Sequence, residues 1–205
     1  MLSQVRAPVA RAIAPVGAAL ARAGVSPDVI TYAGAAGVAF GAFAFYPRGE
    51  FLTGTLVIVL FVFSDMFDGA IARATGGGTP WGAFLDSNID RMSDAAIFAA
   101  LVLYFAGPGN SQWLAGAAVW CLVAGLLVSY ARARAEGLGA TCTVGIAERT
   151  ERLTIILVGA GFAGLLDRPA LLHWSLWLLA VLSSVTVVQR LVHVRGQLRP
   201  RTPTP

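Results

Sequence analysis

FLTGTLVIVLFVFSDMFDGAIARATGGGTPWGAFLDSNIDRMSDAAIFAALVLYFA, residues 51–106, holds two long apolar segments separated by a loop containing Gly76-Gly77-Gly78-Thr79-Pro80. Each segment is long enough for a helix crossing a hydrocarbon core about 30 Å thick, which takes roughly 20 residues. Two helices joined by so short a loop run antiparallel, side by side. The polar ends of both meet at the loop. Ser64-Asp65-Met66-Phe67-Asp68-Gly69-Ala70-Ile71-Ala72-Arg73 closes the first, and Gly82-Ala83-Phe84-Leu85-Asp86-Ser87-Asn88-Ile89-Asp90-Arg91 opens the second. Asp65 and Asp68 are three apart, and Asp86, Asp90 and Asp94 follow at intervals of four, so each set projects from one helix face. The carboxylates converge at one end of a helical hairpin.

The rest of the chain extends the same pattern. Of 205 residues 57% are hydrophobic and 13% charged, with mean hydropathy +0.71, too apolar for an ordinary soluble domain. Further apolar segments run approximately from Val29 to Tyr46, Trp113 to Ala135, Leu153 to Leu166 and Leu171 to Val194. Ser26-Pro27-Asp28 marks a helix start, Pro47-Arg48-Gly49 and Gly107-Pro108-Gly109 mark turns, and Asp167-Arg168-Pro169 separates the last two segments. The expected fold is an all-α integral membrane protein: six transmembrane helices in a domain at 25–196, an N-terminal interfacial amphipathic helix at 1–24 and a disordered tail at 197–205. Arg6, Arg11 and Arg22, interrupted by Pro8 and Pro15, suit a surface helix better than a signal peptide, which needs an unbroken apolar core; a solvated tail is the alternative.

With six spans both termini share a side. The arginines fall on that side except Arg48 and Arg168, so the positive-inside rule makes it the cytoplasm and puts the Asp cluster there. A formal charge of +4 therefore reports topology, and with no basic run there is no case for nucleic acid. Cys121 and Cys142 lack C-x-x-C spacing and offer neither a disulfide nor a zinc site.

Carboxylates crowded near membrane depth must protonate or find a cation. Hard oxygen donors in this number suit Mg²⁺ or Mn²⁺ and exceed the need of one ion that keeps its waters, so two ions are expected. Gly69, Ala72 and Gly82 on the same faces leave room for a bulky ligand. A divalent-cation transporter would also carry intramembrane carboxylates, though usually on interrupted helices at the midplane.

The run D-x-x-D-G-x-x-A-R, eight residues, then G-x-x-x-D-x-x-x-D is filled by Asp65, Asp68, Gly69, Ala72, Arg73, Gly82, Asp86 and Asp90. In this the chain resembles the CDP-alcohol phosphotransferase family. The resemblance implies a six-span enzyme in which an alcohol attacks the phosphorus of a CDP-activated donor and expels CMP. It implies Asp65, Asp68, Asp86 and Asp90 as metal ligands, with Asp90 also the catalytic base. It implies a nucleotide site of Asp28, Thr31, Asp65, Asp68, Gly69, Ala72, Arg73, Thr79, Gly82 and Asp86, and a homodimer in a bacterial cell membrane with its active site facing the cytoplasm.

The wording of the motif, with SYARARAE at 129–136 and IAERTERL at 146–153, is similar to actinobacterial members that join CDP-diacylglycerol to inositol phosphate. That acceptor implies a basic pocket, and Arg132, Arg152 and Arg190 match the positions that bind its phosphate. For any one of them positive-inside topology is an equal explanation. Another acceptor, such as glycerol phosphate, is the alternative within the family. Arg132 stands where Lys is usual, exchanging a point charge for a planar fork, and Asp28 where Asn is commoner. Gly76-Gly77-Gly78 reads as a turn, not a P-loop; Gly37-x-x-x-Gly41 reads as packing within the bundle ahead of a dimer seam; His173 and His193 receive no role.

Overall fold

The computed structural model describes residues 15–16, 19, 22–74 and 77–199, the side chains of 64–70 and 72–74 lying outside the described set. Most of the expected N-terminal helix, and the tail from residue 200, also lie outside it. Among the described residues the chain is all-helical, without strands. The α-helices are α1 (Pro27–Phe45), α2 (Phe51–Ala74), α3 (Pro80–Ala106), α4 (Gln112–Glu136), α5 (Arg149–Leu165) and α6 (Pro169–Leu198), with a 3₁₀ turn at Tyr46–Arg48.

Local chemistry explains where they start. The Ser26 hydroxyl accepts from the Val29 N–H at 3.4 Å and Pro27 fills the first turn of α1. Thr79 does the same for α3, accepting from the Gly82 N–H at 3.0 Å ahead of Pro80. Ser111 accepts from the Leu114 N–H at 3.4 Å at the start of α4. Two ends differ from the apolar segments. α5 begins at Arg149 instead of Leu153, and α6 continues past Val194 to Leu198, because Arg, Glu and Gln sustain a helix after the apolar pattern stops.

Among the described residues, three helical stretches are long and apolar enough to cross a membrane: Pro27–Arg48, Gln112–Glu136 and Pro169–Leu198. α3 carries Asp86, Asp90 and Arg91 in its first half and Asp94 just past its middle, and α5 has only 17 residues. Trp113 and Trp174 are 81% and 74% exposed near the starts of α4 and α6, an aromatic placement suited to a bilayer interface.

The chain divides into two compact units, Met1–Tyr46 with Thr53–Ile97, and Pro47–Leu52 with Phe98–Pro205. In the first, α1 and α2 form a tight hairpin. A Cβ on Gly37 would overlap the Phe61 ring, and one on Gly41 would lie 2.9 Å from Val57 Cγ1 and 3.2 Å from the Ile58 nitrogen. The Gly37/Gly41 stripe thus seats one helix of the chain against another, as expected of packing within the bundle. Tyr46, fully buried, closes the hairpin by a 2.9 Å hydrogen bond between its hydroxyl and Thr55 Oγ1. In the second unit α6 packs against both α4 and α5, burying Leu172, Leu176 and Leu179 with Ala118, Cys121 and Ile156. Cys121 and Cys142 are separate, buried free thiols, as their spacing suggested.

Candidate active site

One end of the first unit brings together Asp28 and Trp81, at the starts of two helices. Trp81 Nε1 donates to Asp28 Oδ2 at 3.0 Å, so the starts of α1 and α3 adjoin. Gly37 faces Phe61 and Gly41 faces Val57, a register of four residues forward for four back. Continued along the hairpin, it brings Asp68 level with Ile30, at the same end. Thr31 is buried and its hydroxyl donates to the Pro27 carbonyl at 3.2 Å, while the Thr79 hydroxyl serves as the α3 cap. Both hydroxyls thus carry a helix-start role as well as any ligand role.

Asp86, Asp90 and Asp94 form one stripe along α3 that runs from water into the helix packing: Asp86 is exposed, the Asp90 side chain is 15% exposed and Asp94 is 7% exposed. Arg91 Nη1 lies 3.4 Å from Asp90 Oδ2 and 2.8 Å from the Ser87 carbonyl, bracing the outer part of the stripe. Asp65, Asp68, Gly69, Ala72 and Arg73 lie on α2, whose backbone is described to Ala74. Among the residues whose side chains are described, no group of three or more His, Cys, Asp or Glu is gathered. The donor chemistry fits a divalent cation nonetheless. Asp86 and Asp90 present carboxylate oxygens one turn apart, at the depth where α3 passes from exposed to buried, and hard cations prefer such ligands.

The three arginines expected to bind the acceptor all lie in the second unit, in two very different settings. Arg190 on α6 is 3% exposed and fully engaged: Nε donates to the Val144 carbonyl at 2.9 Å, Nη1 to the Val128 carbonyl at 2.6 Å, and Nη2 to Glu148 Oε1 at 3.1 Å. Arg152 on α5 is also 3% exposed, with Nη1 3.4 Å from the Ala147 carbonyl and its guanidinium against Gly125 of α4. Both therefore border the segment 144–148 and the Gly125–Val128 turn of α4. Arg132, one turn farther along α4, is half exposed and paired to Glu136 at 2.9 Å. Such an i,i+4 surface pair is worth only about 0.3–0.5 kcal/mol.

Residues 140–145, just ahead of the IAERTERL stretch, carry no signal read from the sequence, yet with 146–148 they organise this region. Gln197 clasps Thr141 in both directions, its Oε1 accepting from the Thr141 N–H at 2.9 Å and its Nε2 donating to the Thr141 carbonyl at 2.7 Å. Thr186, buried, accepts from the Ala147 N–H at 3.0 Å. Gly145 has φ +145°, and a Cβ there would lie 2.5 Å from Thr186 Cγ2, so only glycine fits. Thr-Val-Gly-Ile-Ala at 143–147 contains one signal, a lone glycine, but its partners Thr186 and Arg190 come from α6, 39 and 46 residues away.

Residues 24–188 match the CDP-alcohol phosphatidyltransferase family. The chain is 51% identical over 198 residues, covering 94% of itself and 81% of the relative, to a phosphatidylinositol phosphate synthase of Streptomyces avermitilis. It is 44% identical over 202 residues, 95% of itself and 98% of the relative, to the protein of that name from Cutibacterium acnes. The crystal structure of the Mycobacterium tuberculosis phosphatidylinositol phosphate synthase with CDP-DAG bound superposes with TM-score 0.87 at 40% identity, covering 94% of this chain and 99% of that one. The same enzyme in complex with manganese and citrate gives 0.86 at 40% identity, covering 93% of each.

Proposed function

The chain belongs to the CDP-alcohol phosphatidyltransferase family and is a transferase of a multi-pass membrane type, and from that premise we propose that it moves the phosphatidyl group of CDP-diacylglycerol onto a hydroxyl of myo-inositol phosphate, releasing CMP as a phosphatidylinositol phosphate synthase. The observation that carries the acceptor is the pair of buried guanidinium groups, Arg152 and Arg190, bordering one short segment beside exposed Arg132. Cations buried at such cost are paired or functional, and a phosphorylated alcohol gives them a function.

In the proposed mechanism Asp65, Asp68, Asp86 and Asp90 hold two divalent cations, which neutralise charge on the departing CMP. Asp90, deeper along the stripe than Asp86, takes the proton of the attacking hydroxyl. Asp28, Thr31, Thr79 and Gly82, with Gly69, Ala72 and Arg73, form the nucleotide pocket. Arg132, Arg152 and Arg190 hold the acceptor phosphate. The domain spans the bilayer six times, flanked by an interfacial helix at 1–24; its last helix runs on to Leu198, with Gln197 bound to Thr141, so the tail begins after Leu198 and not at 197 as expected. It works as a homodimer in the bacterial cell membrane, with the Asp cluster and both termini in the cytoplasm.

The deciding experiment supplies purified protein with Mg²⁺ and CDP-diacylglycerol, offers inositol phosphate and glycerol phosphate separately, and measures CMP. Release with inositol phosphate is expected. Release with glycerol phosphate alone would move the acceptor assignment within the family.

A further inference from the structure

Arg190 offers its guanidinium unequally. Two of its nitrogens are spent on the carbonyls of Val144 and Val128, which fix the plane of the group, and only Nη2 meets an anion, the carboxylate of Glu148. The two sides of that ion pair differ in exposure: the Arg190 side chain is 3% exposed and the Glu148 side chain 45%. Glu148 stands at the N-cap of α5 but makes no side-chain cap bond, so its carboxylate is not required to start the helix. Its charge also acts on Arg132. A carboxylate and a phosphate both accept charge-assisted hydrogen bonds from a guanidinium N–H, so either can occupy Nη2.

We propose that Glu148 is a built-in competing anion, seated on the outward edge of Arg190 until the acceptor's phosphate displaces it, so that this residue sets acceptor affinity. The inference rests on the acceptor site proposed above. A phosphate monoester carries a charge of about −1.5 to −2 against −1 for the carboxylate, which favours exchange. Glu148, already half in water, loses little by swinging out.

The test uses the full chain in lipid nanodiscs. Inorganic phosphate is titrated calorimetrically, and KM is measured for inositol phosphate and for CDP-diacylglycerol. Glu148→Gln keeps the shape and an acceptor oxygen but removes the charge. It is expected to tighten phosphate binding and lower the inositol phosphate KM about fivefold, the equivalent of ~1 kcal/mol, with the CDP-diacylglycerol KM unchanged. Glu148→Asp, charged but too short to keep the contact, is expected to shift both in the same direction by less, and it serves if the first variant unfolds. A purely structural ion pair would give weaker phosphate binding and a lower Tm, and either unchanged or weaker phosphate affinity in both variants overturns the proposal. If the wild type releases CMP only with another phosphorylated alcohol, the acceptor assignment fails while the phosphate titration still decides the role of Glu148.

Discussion

Replacing Arg190 by Lys keeps the charge and removes the fork, separating what a cation does here from what a guanidinium does. The three contacts of Arg190 reach α4, the 144–148 segment and Glu148, at 2.6, 2.9 and 3.1 Å. A Lys ammonium on a shorter reach can satisfy one of them well. Each lost hydrogen bond to a charged group costs about 1.5–3 kcal/mol, less the share that the Val128 carbonyl recovers from its own helix bond, so a loss of ~3 kcal/mol is expected. For a chain of 150–250 residues one kcal/mol corresponds to roughly 2–4 °C, giving a fall in Tm of about 6–12 °C. Tryptophan fluorescence follows the melt, since the chain has 5 Trp. The inositol phosphate KM should rise together with the loss of stability. A variant melting within about 2 °C of the wild type would refute the claim that Arg190 braces the segment, whatever its effect on KM.

Arg132→Ala provides the contrast: its exposed pair with Glu136 at 2.9 Å predicts a Tm within about 1–2 °C of wild type, with a raised inositol phosphate KM seen in steady-state assays. Asp90→Asn should abolish CMP release while calorimetry still detects CDP-diacylglycerol binding; near-normal turnover would remove Asp90 as the base. Gly145→Ala forces a left-handed backbone and a 2.5 Å approach to Thr186, costing about 1–3 kcal/mol and visible as a lower Tm with weakened acceptor binding. In intact cells, a membrane-impermeant maleimide should label a cysteine placed at Glu50 but not one placed at Glu136, with Cys121 and Cys142 silent because both are fully buried. Labelling at Glu136 would reverse the proposed orientation.

The helices were legible as long apolar segments, three of them apolar and long enough to cross a membrane among the described residues, and the start of α1 because Ser26-Pro27 carries cap chemistry in adjacent residues; the matching cap at Thr79-Pro80 read only as loop. The carboxylate stripe on α3 was legible for the same reason: intervals of four are a local property of one helix. The helices run past the apolar segments to Arg149 and Leu198 because apolarity marks the hydrocarbon, whereas helical hydrogen bonding continues into polar sequence. The Gly37/Gly41 stripe signalled close packing, but only the structure names Phe61, Val57 and Ile58 as what packs there.

The acceptor arginines show where local reading stops. Arg132, Arg152 and Arg190 look alike in sequence, each a cation near the end of an apolar segment, and positive-inside topology accounts equally for all three. Folding divides them. Arg132 remains in water with a neighbour from its own helix, while Arg190 is buried against backbone carbonyls from residues 46 and 62 positions away. A buried guanidinium held at Nε and Nη1 has its plane fixed before any ligand arrives, so less ordering entropy opposes phosphate binding than at a mobile surface Arg. On the proposed acceptor role, the same residue supports the segment beside which it would bind, so Arg190 substitutions should change stability and acceptor affinity together, whereas substitutions at Glu148, half exposed and on the outer edge of the same contact, should separate them.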